Sequence, residues 1–143
     1  MTRLSSTYSS NRWWAIAVDV VLVVVFATTG RASHGETLTP WGIADTAWPF
    51  VVACLAAWVL VTVARWPHAR VFPSGLVVWA ATLAGGMGLR VLAGDTAATA
   101  FIVVAAITLA VLLLLPRLLL GRRRFERGGA AAERTAPDRS RSA

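Results

Sequence analysis

A run of apolar residues from Trp13 to Thr29 is long enough to cross a bilayer, and one carboxylate, Asp19, interrupts it. At about 1.5 Å per helical residue, such a run covers most of a hydrocarbon core about 30 Å thick. Three more apolar blocks follow, at about 46–64, 74–92 and 97–115. The apolar residues fall in long blocks and not in strict alternation, which points to helices and away from half-buried strands. They make up 57% of a 143-residue chain, more than a soluble domain of this size can hide in its interior. The expected fold is all-α: an integral membrane bundle of four transmembrane helices, with one domain's worth of chain.

Residues 1–12 are polar and Ser-rich and are expected to be flexible. The transmembrane domain is expected over 13–120, with helices at about 13–29, 46–64, 74–92 and 97–115. Gly30 is the expected stop of the first helix. Pro49 is placed in the first turn of the second, where its missing N–H has no partner to lose. Pro116 is expected to end or kink the fourth. Residues 121–143 are rich in Arg, Ala and Gly and lack apolar periodicity, so a disordered cytoplasmic tail is expected. Asp19 and the lack of a clean small-x-small site before Arg31 argue that the first helix is retained and is not a cleaved signal.

The chain has 14 basic residues against 7 acidic ones, and every basic residue is arginine. The arginines cluster beside the apolar blocks, which fits one leaflet's loops better than a nucleic-acid surface. With the N-terminus inside, the inner side carries Arg3, Arg12, Arg65, Arg70, Arg117, Arg122, Arg123, Arg124 and Arg127, and the outer side only Arg31 and Arg90. This asymmetry predicts an N-in, C-in orientation in the plasma membrane. The expected partners are the bilayer itself and a second copy or a membrane partner protein, with no nucleic acid.

Two groups of residues could carry chemistry. The first surrounds Asp19, because an ionisable group in a spanning helix is costly and usually faces the protein interior. Counting along the helices puts Asp19 about 9 Å in from Trp13, Trp58 about 10.5 Å in from Arg65, and Trp79 about 7.5 Å in from Ser74. The three are expected in one layer, with the indoles donating to Asp19 and Arg12 or Arg65 reaching toward it. Arg90 lies some 15 Å too high to join them. A buried carboxyl in that layer would be neutral and would donate a hydrogen bond of its own. Asp19 is then either a proton- or cation-linked site or a pin between helices. If it is only a pin, Asp19→Asn should preserve folding.

The second group is the outer cluster of Arg31, His34, Asp45, Arg90 and Asp95, with Glu36 close by. Two arginines and a histidine could hold an anionic group. The plainer expectation pairs Arg31 with Asp45 and Arg90 with Asp95, locking helix ends together. Other chemistries find little support. Ser33 and His34 are sequence neighbours, which does not make a dyad, and no G-x-S-x-G is present. His34 and His68 fall on opposite sides of the bilayer, so no metal is expected, nor any other cofactor. Ala81, Ala84, Gly85, Gly86 and Gly88 suit close helix packing, and no phosphate loop is read there. Cys54, alone among apolar residues, is expected to be a small packing residue.

The residues Asp19, Phe26, Gly30-Arg31-x-Ser33-His34, Pro49-Phe50, and Leu89-Arg90 with Gly94 resemble the small bacterial and archaeal membrane proteins grouped as domain of unknown function 3054. The resemblance covers roughly Trp13 to Leu115. It implies an architecture and no reaction. The function expected is thus that of an uncharacterised multi-pass membrane protein with a polar outward-facing mouth. A small proton- or cation-coupled transporter acting as a homo-oligomer is the first alternative, by analogy with small multidrug transporters. A non-catalytic subunit of a membrane complex is the second. An enzyme has the least support.

Overall fold

The computed structural model describes residues 12–67, 70–96 and 98–135, and from residue 120 onward the backbone alone. Among the described residues there are helices and turns and no strand. Helix α1 spans Arg12–Ser33, α2 spans Pro40–Val63, α3 spans Leu76–Leu92 and α4 spans Thr99–Thr135. A wide turn at Val71–Gly75, in which Phe72 is extended, leads into α3. Four helical spans are long and apolar enough to cross a membrane, the third when α3 is taken together with the turn before it, as Val71–Leu92. The described residues do not include 1–11, where the flexible N-terminus was expected.

Short connections force neighbours to run antiparallel. The helices form a ring in which α1 packs on α2, α2 on α3, α3 on α4 and α4 back on α1. The buried faces follow helical spacing. On α1 they are Ala15, Asp19, Val23, Phe26 and Ala27; on α4 they are Ala105, Leu109, Leu113 and Arg117. Each of these rows therefore carries one charged residue in phase with its apolar ones. The outward faces are apolar too: Val24, Leu55, Val59, Val91, Val104 and Ile107 are all exposed. Cys54 is fully buried in the core.

The helix ends differ from the expected ones for local reasons. α1 runs past Gly30 to Ser33 and stops at Gly35, whose φ of 70° is the left-handed conformation that closes a helix. α2 begins six residues early, at Pro40. Thr39 caps it by accepting from the Gly42 N–H at 3.1 Å, and Pro40 occupies the first turn. Pro49 is consequently buried inside α2 and not in its first turn. α4 passes through Pro116 and continues to Thr135, beyond the expected limit at Leu115. Most of the sequence there is Arg, Leu and Ala, which are strong helix formers. Residues 136–143 of the expected tail lie outside the described residues.

Three helices end in the same way. The N–H of Glu36 donates to Arg31 O and that of Gly35 to Ala32 O; Trp66 donates to Val61 O and Arg65 to Thr62 O; Asp95 donates to Arg90 O and Gly94 to Val91 O. Each end is a Schellman closure with its turning residue in the left-handed region: Gly35, Gly94 and, unusually, Arg65 at φ 54°. Close packing inside the ring depends on glycine where α3 meets α2. A Cβ on Gly86 would overlap the Phe50 ring, and one on Gly85 would come within 2.9 Å of Ala53 Cβ. The expectation that these small residues pack helices within the bundle holds for Gly85 and Gly86 but not for Ala84 and Gly88, which are exposed, with open space around Gly88.

Candidate functional site: a buried ion pair and a polar mouth

Asp19 faces the bundle interior, fully buried, as expected. Its main partner is not a tryptophan. Arg117 of α4 reaches it with both terminal nitrogens, Nη2 to Oδ2 at 2.5 Å and Nη1 to Oδ1 at 3.1 Å. The two side chains are both 0% exposed. Trp58 of α2 also donates, from Nε1 to Oδ2 at 2.9 Å, and the Arg117 guanidinium lies 5.8 Å from the Trp58 ring centroid. Arg117 Nη1 donates as well to the Leu113 carbonyl of its own helix. The turn before α3 closes the fourth side: a Cβ on Gly75 would sit 2.9 Å from Arg117 Cδ. Nearby, Ser74 Oγ donates to the carbonyls of Pro67 and Arg70. All four helical segments thus meet around one ion pair.

Three expectations about this layer are corrected. Trp79 does not bind Asp19; its Nε1 donates to Ala106 O at 3.0 Å, tying α3 to α4. Ala106 is seven residues from Leu113, about 10 Å along α4, and the carboxylate is already occupied by Arg117 and Trp58. Neither Arg12 nor Arg65 is the cation that reaches Asp19. The carboxylate accepts three hydrogen bonds instead of donating one. The signal for Arg117 was present in the sequence. Counted down α4 from Thr99, Arg117 lies about 27 Å along the helix, in the layer of Asp19 once the reach of its side chain is added. Pro116 masked it, because a helix expected to end there leaves Arg117 in a loop.

At the other end of the ring, the residues of the expected outer cluster come together. A cavity of about 340 Å³ is lined by Arg31, His34, Asp45, Arg90 and Asp95, together with Glu36. Arg31 sits in the last turn of α1 and not in a loop. It pairs with Glu36 at 2.8 Å, donates to Thr46 Oγ1 at 2.9 Å and to Thr37 O at 3.1 Å. The expected Arg31–Asp45 pair is not formed. The Schellman closure turns the chain so that the residue five positions on from the arginine falls back beside it, and that residue is Glu36. The same closure on α3 sets Asp95 beside Arg90 at 3.5 Å, as expected. The shared signature is R-x-x-x-G-(D/E), at Arg31-Gly35-Glu36 and Arg90-Gly94-Asp95; it was legible in the sequence.

The two arginines are not equally engaged. Arg31 is held at several points, and the backbone of α2 approaches it closely at Gly42. Arg90 has a contact longer than the usual charge-assisted hydrogen bond, and its guanidinium lies 5.0 Å from the Phe101 ring centroid. Asp45 and His34 make no ion pair among the described residues. The cavity therefore presents a loosely held cation and an uncompensated carboxylate in one space. No group of three His, Cys, Asp or Glu among the described residues could hold a metal ion.

Four apolar helices in a ring, with an ion pair buried among them, define a small all-helical protein of membrane-spanning proportions. The chain belongs to the family described as "Protein of unknown function (DUF3054)", whose profile matches residues 16–120. Neither the curated proteins nor the solved structures contain a match to it.

Proposed function

We propose that this is a multi-pass integral membrane protein, N-in and C-in in a bacterial plasma membrane, whose outward mouth binds a small solute carrying both a positive and a negative charge. The embedding is supported by four helices of spanning length and by the exposed apolar faces between their ends, because a soluble surface rarely presents contiguous apolar area of that extent. The orientation is supported by the arginines around the ends that carry Arg12 and Arg65. The ligand class rests on one observation: Arg90, loosely paired, and Asp45, without an ion pair, line the same cavity of about 340 Å³. A carboxylate and an ammonium on one solute would complement both.

The test is binding to the detergent-purified protein by calorimetry. Neutral amino acids serve as zwitterionic probes, with simple carboxylates and simple amines as single-charge controls. Zwitterions should bind, and Arg90→Gln and Asp45→Asn should each weaken binding. Equal heats for the single-charge controls would remove this reading.

A second reading, a coupled transporter acting as a homo-oligomer, has one feature in its favour. A nearly apolar groove between α2 and α3, lined by Ala53, Ala56, Gly85 and Leu89 among others, opens on the outer surface of the ring, and small residues suit close approach of another helix. Against a proton-carrying role for Asp19 stands its bidentate arginine, which holds the carboxylate as one half of an ion pair. Uptake of a bound solute into proteoliposomes, with a dimer mass by light scattering, would establish the second reading.

A further inference from the structure

A second cavity, of about 210 Å³, lies at the end of the ring opposite the mouth, lined by Arg12, Trp58, Val61, Thr62, Arg65 and Trp66. Its chemistry is the reverse of the mouth's. Two arginines line it and no acid does. Neither Arg12 nor Arg65 makes an ion pair among the described residues; the Arg12 guanidinium lies 5.5 Å from the Trp13 ring. The space is several times the roughly 30 Å³ share of one water.

The backbone adds a second observation. Arg65 holds a φ of 54° at the position where the two companion closures use Gly35 and Gly94. A side chain in that conformation costs about 1 kcal/mol that glycine would not. A strained residue with its cation in a cavity is a feature from which function can be inferred. Trp66, at the same helix end, is of the type that sits at headgroup level.

We propose that this cavity binds the phosphodiester of an anionic phospholipid headgroup, with Arg12 and Arg65 contacting the phosphate and the Thr62 hydroxyl donating a hydrogen bond. The site lies at the end of four spanning helices, where a headgroup is delivered by the bilayer; basic pockets between helices on the cytoplasmic side take such groups. The inference rests on the membrane embedding proposed above and is independent of the mouth's ligand. Trp58 links this cavity to the core: its ring lines the cavity, and its Nε1 holds Asp19. A bound headgroup therefore braces the Asp19–Arg117 pair, and lipid binding should raise thermal stability.

The experiment is a thermal-shift titration of the full-length protein in neutral detergent with phosphatidylglycerol, phosphatidylcholine or inorganic phosphate. Phosphatidylglycerol should give a saturable rise in Tm. Phosphatidylcholine and inorganic phosphate should not. Arg65→Gly relieves the backbone while removing the cation, so it should fold at least as well as the parent and yet need about fivefold to tenfold more phosphatidylglycerol for the half-maximal shift. Arg12→Gln should act in the same direction. Arg122, Arg123 and Arg124 are common to every variant, so the comparison between variants isolates the cavity. A half-maximal concentration in Arg65→Gly equal to that of the parent overturns the proposal. An equal shift from inorganic phosphate also overturns it, by making the site one for free anions, and an equal shift from phosphatidylcholine does so by removing the requirement for net charge. A protein that proves soluble without detergent would instead refute the membrane embedding itself.

Discussion

Removing one member of a buried ion pair strands the other in a place where water cannot reach it, and that governs what substitutions at Asp19 and Arg117 will do. Each single truncation, Asp19→Ala or Arg117→Ala, should cost about 3–5 kcal/mol. The double replacement Asp19→Leu with Arg117→Met should cost much less than the two singles together, because no charge is left behind. Denaturant unfolding in mixed micelles reads the cycle, and strict additivity would mean that the pair is not coupled. The same logic revises the expectation for Asp19→Asn. An amide keeps the Trp58 hydrogen bond but cannot neutralise Arg117, so Asn should destabilise the bundle even if Asp19 is purely a pin. A steric prediction belongs at this scale too. Gly86→Ala would drive a methyl into the Phe50 ring, which packs edge-on against Phe26 at 5.2 Å between centroids. Overpacking of that kind costs about 1–3 kcal/mol, visible as a lower Tm, whereas Gly88→Ala, with open space around it, should be close to neutral.

The elements are set by their ends more than by their interiors. Apolar runs this uniform carry little internal information on where a helix starts or stops, and the expected boundaries missed at several ends. What fixes them is short and local: Thr39-Pro40 to open α2, and Gly35, Arg65 and Gly94 in the left-handed region to close α1, α2 and α3. The three closures share a geometry but not a residue, which makes a paired prediction. Gly35→Ala and Gly94→Ala should each cost about 1 kcal/mol, and Arg65→Gly should return a similar amount. Unfolding midpoints of the three variants measured side by side would check this; a loss of stability in Arg65→Gly would show that the arginine contributes more through its side chain than its backbone costs. The helix-end signature with Arg and an acid five residues apart was readable, because Schellman geometry relates those positions whatever surrounds them.

For the whole molecule, the proposed orientation predicts that reporter fusions after Gly35, Pro67, Gly94 and Arg127 read outside, inside, outside, inside. An inside signal at Gly35 would reverse the assignment of mouth and headgroup cavity. Four helices, their membrane-spanning length, the interior position of Asp19 and the gathering of the Arg31 and Arg90 ends all followed from the sequence. They depend on apolar block length, on the cost of an unpartnered carboxyl, and on parity: every second helix end falls on the same side. The partner of Asp19 did not follow. Four helices that are apolar all round carry no polar face to mark which side points inward, so their rotational phase is invisible until they pack. Only the ring, by turning the row Ala105, Leu109, Leu113 and Arg117 toward Ala15, Asp19 and Val23, decided that an arginine placed after a proline would lie in the core and not in a loop.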